Sequence, residues 1–282
     1  MLTILDVINL STDYLKKCNI ENPRRQAEEL ISQVLAMSRM DLYLDFSRPL
    51  TDDELAKLRS WLKRRGSGEP LQYIQGYVEF LSCRITVNPN VLIPRQETEI
   101  LCDKIAKILK SKSTDNKVLW DLCCGSGAIG IALKKQFPNL HVCSSDICND
   151  ALSLAKENAA LNQVDIEFFQ GDLFKPFQSK KADFIVCNPP YIKESDYSTL
   201  DIEVRNFEPK KALVSGPSGY EFYERLSKDL PSHLNPGGRA WFELGTGQGE
   251  GVKQLFNSSI WTQSNFEADW SGHDRFFSLE IE

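Results

Sequence analysis

Beyond Val118 the chain alternates short apolar runs with segments of helical period, and that alternation restricts it to a mostly parallel sheet covered by helices on both faces. Val118-Leu119-Trp120, His141-Val142-Cys143, Ile166-Glu167-Phe168-Phe169, Phe184-Ile185-Val186 and Ala240-Trp241-Phe242-Glu243-Leu244 read as strands, with Arg275 to Ile281 as a final one. Helices follow Gly127 through Ile129, Ala132 and Leu133, and again at Ala151, Leu152 and Ala155. Ligands of such α/β sheets sit at the carboxyl ends of the strands. Polar motifs at those ends are therefore the places to look for chemistry.

The preceding part of the chain has a different period. From Met1 to about Arg65 it is helical: Ala27, Leu30, Ile31, Val34 and Leu35 share one face, behind an expected Asn22 cap and Pro23 at the first helical position. Thr51 and Glu54 form a capping box ahead of Leu55, Leu58 and Leu62. Gly66-Ser67-Gly68-Glu69-Pro70 breaks that period. Tyr73-Ile74, Tyr77 to Phe80 and Cys83 to Val87 then have strand composition. The expected organisation is a small helical bundle over 1–65, a β-hairpin linker over 66–94 and an α/β domain over 95–282, its first helix running from about Glu97 to Lys110.

Composition narrows the function. With 41% hydrophobic and 26% charged residues among 282, the chain can bury one large core and a small second one. It shows no signal-peptide pattern and no apolar run long enough to span a bilayer, so a cytoplasmic protein without membrane contact is expected. The eight cysteines form no C-x-x-C pair and the histidines number three, so no metal site is expected and most thiols are read as small buried groups. A net charge of −6 argues against a broad nucleic-acid surface. Lys57, Arg59, Lys63, Arg64 and Arg65 make one local basic cluster, a pattern more often found on a solvated helix face.

Four motifs fall at successive strand ends. Asp121-Leu122-Cys123-Cys124-Gly125-Ser126-Gly127 joins a strand to a helix, where glycines admit close backbone approach and the helix N-terminus favours electron-rich groups. Asp146 ends the next strand, about twenty residues further on, where a carboxylate can accept both hydroxyls of an adenosine ribose. Asp172 follows the third strand, placed to accept from an exocyclic amine while Leu173 lies against the base. Asn188-Pro189-Pro190-Tyr191 stops the fourth. Two prolines end sheet pairing and leave carbonyls without ladder partners, beside an amide side chain and an aromatic face. Each acid alone would be read as a cap or turn residue; four such motifs in order point to a nucleotide-like cofactor beside a planar nitrogen substrate.

This arrangement resembles a Rossmann-like class I methyltransferase domain, and Asn-Pro-Pro-Tyr is similar to the motif of enzymes that methylate planar amino groups. Gly68 to Ile74, Val91 to Glu99, Phe207-Glu208-Pro209 and Glu243-Leu244-Gly245 with Gln248 resemble the PrmC (HemK) family. The resemblance implies N5-methylation of the glutamine in the Gly-Gly-Gln loop of class 1 peptide chain release factors, with S-adenosyl-L-methionine as cofactor. It implies that Cys123, Cys124, Gly125, Ser126 and Gly127 carry the methionine end, Asp146 the ribose, and Asp172 with Leu173 the adenine. Asn188 would touch both cofactor and substrate, and Asn188, Pro189, Pro190 and Tyr191 would form the catalytic loop. Phe80 and Glu97 stand in motifs of the same resemblance without a spacing argument of their own. One departure is Cys123, where the family usually has glycine; a Cβ there opposes positive φ and must fit beside the cofactor. Three other readings fit parts of the pattern: a nucleic-acid amino-methyltransferase acting on adenine N6 or guanine N2, a binding module that has lost turnover, and an NAD-binding Rossmann enzyme.

Overall fold

The computed structural model describes residues 1–282, and its contacts group Met1–Gly76 with Asp201–Phe207 as one unit, and Tyr77–Leu200 with Glu208–Glu282 as the other. Where the sequence suggested a break at 66–70, the contacts run on to Gly76 and take in a short segment from far downstream.

The first unit is helical: α1 (Ile4–Lys17), α2 (Pro23–Val34), α3 (Arg39–Leu44), α4 (Asp52–Gly66), α5 (Leu71–Gln75) and the late helix Ile202–Phe207. Ile4, Ile8, Leu30, Ile31, Leu42, Leu58 and Ile74 form its core. Capping boxes start three of these helices, at Thr3 with Asp6, Ser38 with Asp41 and Thr51 with Glu54, so orphan N–H groups are satisfied without tertiary help.

Three local expectations change. Asn22 makes no side-chain cap; it takes a left-handed conformation, and Pro23 alone marks the start of α2. Tyr73 and Ile74 are helical rather than extended. Pro70 opens that turn and Gly76, at φ +84, closes it with a 2.7 Å bond from its N–H to the Gln72 carbonyl, so punctuation outweighs the strand propensity of the two residues between. Arg65, counted in the basic cluster, is buried. Its guanidinium donates to Gln26 Oε1 at 2.5 Å and the Glu69 carbonyl at 2.9 Å and pairs with Glu203. Arg64 is paired with Glu69, which further depletes the cluster as an anion surface.

The second unit opens with the expected hairpin, β1 (Tyr77–Phe80) and β2 (Cys83–Thr86), and then α6 (Gln96–Lys110). Strands β3 (Val118–Leu122), β4 (His141–Asp146), β5 (Glu167–Gln170) and β6 (Ala182–Cys187) are separated in part by α7 (Ala128–Gln136) and α8 (Asn149–Leu161). A small parallel pair, β7 (Ile192–Lys193) and β8 (Val214–Gly216), precedes the helix Glu221–His233 and then β9 (Leu234–Glu243), β10 (Trp261–Ala268) and β11 (Asp274–Ile281). The main sheet has seven strands in the order β10-β11-β9-β6-β3-β4-β5. Its five strands from β9 to β5 are parallel, β11 pairs antiparallel with β9 and β10 antiparallel with β11, as expected of an α/β fold with a mostly parallel sheet. Trp120, Leu122, Ile185, Cys187, Tyr223, Leu226, Phe242 and Phe277 are among the side chains of the core on one face.

Because β3 runs first and the chain then builds outward on both sides of it, the carboxyl ends of β3, β4 and β6 surround the crevice where the winding reverses. No helix is long and apolar enough to cross a membrane. All eight cysteines are free of disulfides, and six of them are buried.

Candidate active site

The loop after β3 is built to bring backbone close to a ligand. Gly125 has φ +53 with open space where a Cβ would stand. Gly127 has φ +81, and a Cβ there would meet Ala155 and Ile131 at 3.1 Å, so both conformation and the close approach of α8 demand glycine. Cys123 also takes a left-handed backbone, φ +56, despite its Cβ. The loop thus imposes the conformation that the cysteine opposes. The Cys123 thiol lies against that of Cys187, whose own pKa is pushed well up by burial first and then by this neighbour.

Asp146 closes β4 with its carboxylate already oriented: Oδ2 accepts from Gly125 N–H at 2.9 Å and Oδ1 from Cys148 N–H at 2.8 Å. Burial raises its pKa, and those two backbone donors and Lys211 pull back against the rise. Each oxygen keeps a lone pair for a ligand hydroxyl. Asp172 is held differently. Burial pushes its pKa up, but bonds from Arg225 Nη2 at 2.5 Å and Lys175 Nζ at 3.0 Å outweigh burial and hold the carboxyl below its ordinary range. Leu173 beside it is buried, with φ +51.

Asn188 follows β6, and its amide is tethered by one end. Nδ2 donates to Glu243 Oε2 at 2.9 Å and stands 3.3 Å from Thr98 Oγ1, which itself donates to Glu243 Oε2 at 2.6 Å. That leaves Oδ1 as the acceptor available to a ligand. Pro189 and Pro190 are buried, and the Tyr191 carbonyl accepts from Gln248 Nε2 at 3.0 Å, so the turn is anchored on both sides. The Tyr191 hydroxyl reaches Glu243 Oε1 at 3.4 Å; burial, with the Glu243 charge, raises the phenol's pKa.

Cys123, Cys124, Gly125, Ser126, Asp146, Asp172, Leu173, Asn188 and Pro190 line one cleft that opens partly to solvent. Gly127, Pro189 and Tyr191 support that wall without lining it. Phe80 is buried in the hairpin, and neither it nor Glu97 reaches the cleft. Sequence reasoning gave no role to Val91, Leu92, Thr98, Ile147, Lys211 or Phe222, all of which line it. Thr98 stood inside a quoted motif; Ile147, exposed yet apolar directly after Asp146, carried a signal of its own. His141, Cys143 and Glu167 place possible ligand atoms within 4.8 Å of one another along β4 and β5, where His141 and Glu167 pair at 3.0 Å. None of the three lines the cleft.

A glycine-bearing turn, an acid after the second strand of a parallel sheet and Asn-Pro-Pro-Tyr beside them define an α/β methyltransferase of the Rossmann-like class. Comparison with known proteins agrees. The methyltransferase small domain matches residues 96–213, and the PrmC N-terminal domain matches residues 6–76. A crystal structure of a methyltransferase from Pyrococcus furiosus shares the fold with a TM-score of 0.51 at 16% identity, over 82% of this chain and 98% of that one. A release factor glutamine methyltransferase of Chlamydia trachomatis serovar L2 is 41% identical over 271 residues, 96% of this chain and 91% of the relative. One from Geobacter sulfurreducens is 37% identical over 97% of this chain and 95% of its own. The chain belongs to the release factor glutamine methyltransferase family.

Proposed function

We propose that this protein transfers a methyl group from S-adenosylmethionine to the side-chain nitrogen of the glutamine in the Gly-Gly-Gln loop of class 1 peptide chain release factors. The observation that carries this reading is the one-ended tether of Asn188, which leaves its Oδ1 as an acceptor at the cleft. A carboxamide nitrogen is a weak nucleophile because its lone pair is delocalised into the carbonyl. Asn188 Oδ1 and the Pro189 carbonyl can each accept one of its two N–H bonds, which fixes the amide plane and favours positive charge developing on nitrogen. No strong base is needed before attack, since the methylated nitrogen is acidic enough to give its proton to a carbonyl or water. Tyr191, expected to face the substrate, instead backs the loop from behind the cleft wall with its hydroxyl toward Glu243, and the two prolines keep the loop from needing to order on binding.

The residues present fit the cofactor. Gly125 leaves room where a Cβ would intrude, Asp146 offers two pre-oriented oxygens for a vicinal diol, and Ile147, Leu173 and Phe222 supply apolar wall for a purine. When bound, S-adenosylmethionine supplies an electrophilic methyl on a sulfonium. Asp172, held by two cations, is expected to position the loop around the base through Leu173 as well as to accept from its amine.

The nucleic-acid reading is less favoured, because two of the five residues of its basic cluster are committed elsewhere: Arg65 is buried and Arg64 is paired within the helical unit. Mass spectrometry of a release factor incubated with this protein and S-adenosylmethionine tests the proposal: one added methyl on the loop glutamine is expected. Radiolabel that enters RNA and not release factor overturns it.

A further inference from the structure

Asn188 and Glu243 stand at the carboxyl ends of β6 and β9, neighbouring parallel strands whose last register pair is Cys187 with Phe242. The two side chains are therefore adjacent by sheet geometry. Glu243 is 1% exposed, and the groups that hydrogen-bond its carboxylate are all neutral: Thr98 Oγ1, Asn188 Nδ2 and, at 3.4 Å, the Tyr191 hydroxyl. Arg275 lies near enough to favour its charge, but its hydrogen bonds go to the Leu244 carbonyl, Thr246 and Asp269. A buried carboxylate with no directly bonded cation is costly, and a packed apolar side chain would be the more stable choice.

That cost has a use if the site must tell the two ends of an amide apart. The oxygen and NH2 of Asn188 are nearly the same size, and rotation about the last side-chain bond exchanges them. With NH2 toward the cleft, Asn188 would present a donor to a substrate N–H and repel it. Burial raises the pKa of Glu243, but its Oε2 already takes the Thr98 hydroxyl proton and, as a carboxylate oxygen or as the carbonyl oxygen of the acid, can only accept, so Glu243 admits only the NH2 end of Asn188 on its side. Thr98 strengthens the choice: its proton is committed to Glu243, so toward Asn188 it can only accept.

We propose that Glu243, with Thr98, is a positioning residue that fixes the orientation of the Asn188 amide so that its oxygen faces the substrate nitrogen; the inference rests on the function proposed above. Its signature is a loss in kcat with little change in binding. Glu243→Ala should lower kcat about 100-fold, while KM for release factor and Kd for S-adenosylmethionine stay within about threefold of the parent. Glu243→Gln, whose carbonyl can take the place of Oε2, should recover activity to within about tenfold of the parent. Thr98→Val, a near-isosteric change, should lower kcat about tenfold with KM unchanged.

Circular dichroism and calorimetric cofactor titration report whether each variant is folded. The proposal is overturned if folded Glu243→Ala turns over within threefold of the parent, if its loss lies wholly in KM, or if Glu243→Gln is as impaired as Glu243→Ala. Should Glu243→Ala fail to fold, Thr98→Val decides the matter, and unchanged kcat there refutes the idea. A parent protein that methylates no release factor would instead remove the proposed function.

Discussion

At Cys123 the backbone holds φ +56, a conformation that costs a residue with a Cβ roughly 1 kcal/mol relative to glycine. The thiol recovers part of that through contact with the core around Cys187. Glycine at this position would relieve the strain, open space at the cleft wall and lose that contact. Cys123→Gly is therefore expected to bind S-adenosylmethionine at least as tightly as the parent in a calorimetric titration, and abolished binding would refute the account of the loop. Asp121, two residues earlier, poses a different problem. Its Oδ2 accepts from Gly130 N–H at 3.0 Å, its Oδ1 has no partner, and burial pushes its pKa up to about 7. Between the ordinary carboxylate value of 3.8 and about 7, the folded protein keeps a proton that the unfolded chain has lost. Stability must then fall as pH rises through that window and level off above it. Asp121→Asn keeps an acceptor for Gly130 and removes the titration. Its stability relative to the parent should rise between pH 5 and 7 by up to about 1.4 kcal/mol per pH unit. Urea unfolding at several pH values measures this; parallel curves for the two proteins would sink it.

Asn158 on α8 and Asn162 at its C-cap act between elements. Asn158 Oδ1 accepts from Thr86 N–H at 2.8 Å, and its Nδ2 donates at 3.0 Å to both the Thr86 and Ser126 carbonyls. Asn162 does the same for Arg84, accepting at 3.2 Å and donating at 2.8 Å. Two amides one helical turn apart thereby stand in for a neighbouring strand along β2, and one of them also pins the glycine loop. Asn158→Leu would leave one buried and two partly buried backbone groups without partners, at a cost of about 2–4 kcal/mol. Denaturant unfolding checks the figure, and a loss under 1 kcal/mol would mean that water or backbone movement replaces the amide. This pairing explains what could be read in advance and what could not. Strands β3, β4, β6 and β9 announce themselves as apolar runs because both their faces are covered. Strand β10 is not legible in the sequence because Trp261–Ala268 is an edge strand with only partial burial, and its two core-packed aromatics, Trp261 and Phe266, stand five positions apart among polar residues and make no alternating pattern. The cleft residues that could be named from sequence lie at the ends of legible strands. Thr98 and Glu243 acquire their roles through a contact across 145 positions, which no local pattern encodes.

Over the whole chain, the feature that most escapes a linear reading is the excursion Asp201–Phe207. It leaves the α/β unit, contributes a short helix to the helical unit and returns at Glu208, whose buried carboxylate accepts from Ile93 N–H at 3.1 Å and pairs with Arg95. The helical unit is thus completed by a segment 138 positions beyond Arg65, the residue it serves. Arg65 is 2% exposed and Glu203 is 41% exposed, so the pair is half in solvent, and its Coulombic worth is reduced accordingly. Removing the acid still leaves a buried guanidinium short of a partner, while removing both ends takes away the reason for the acid. Glu203→Ala is therefore expected to cost about 1–2 kcal/mol in the parent and close to nothing in an Arg65→Met background, where a flexible apolar chain fills the same space. A double-mutant cycle read by thermal unfolding measures the coupling. Equal losses in both backgrounds would show that the excursion is held by other contacts of the short helix rather than by its charge.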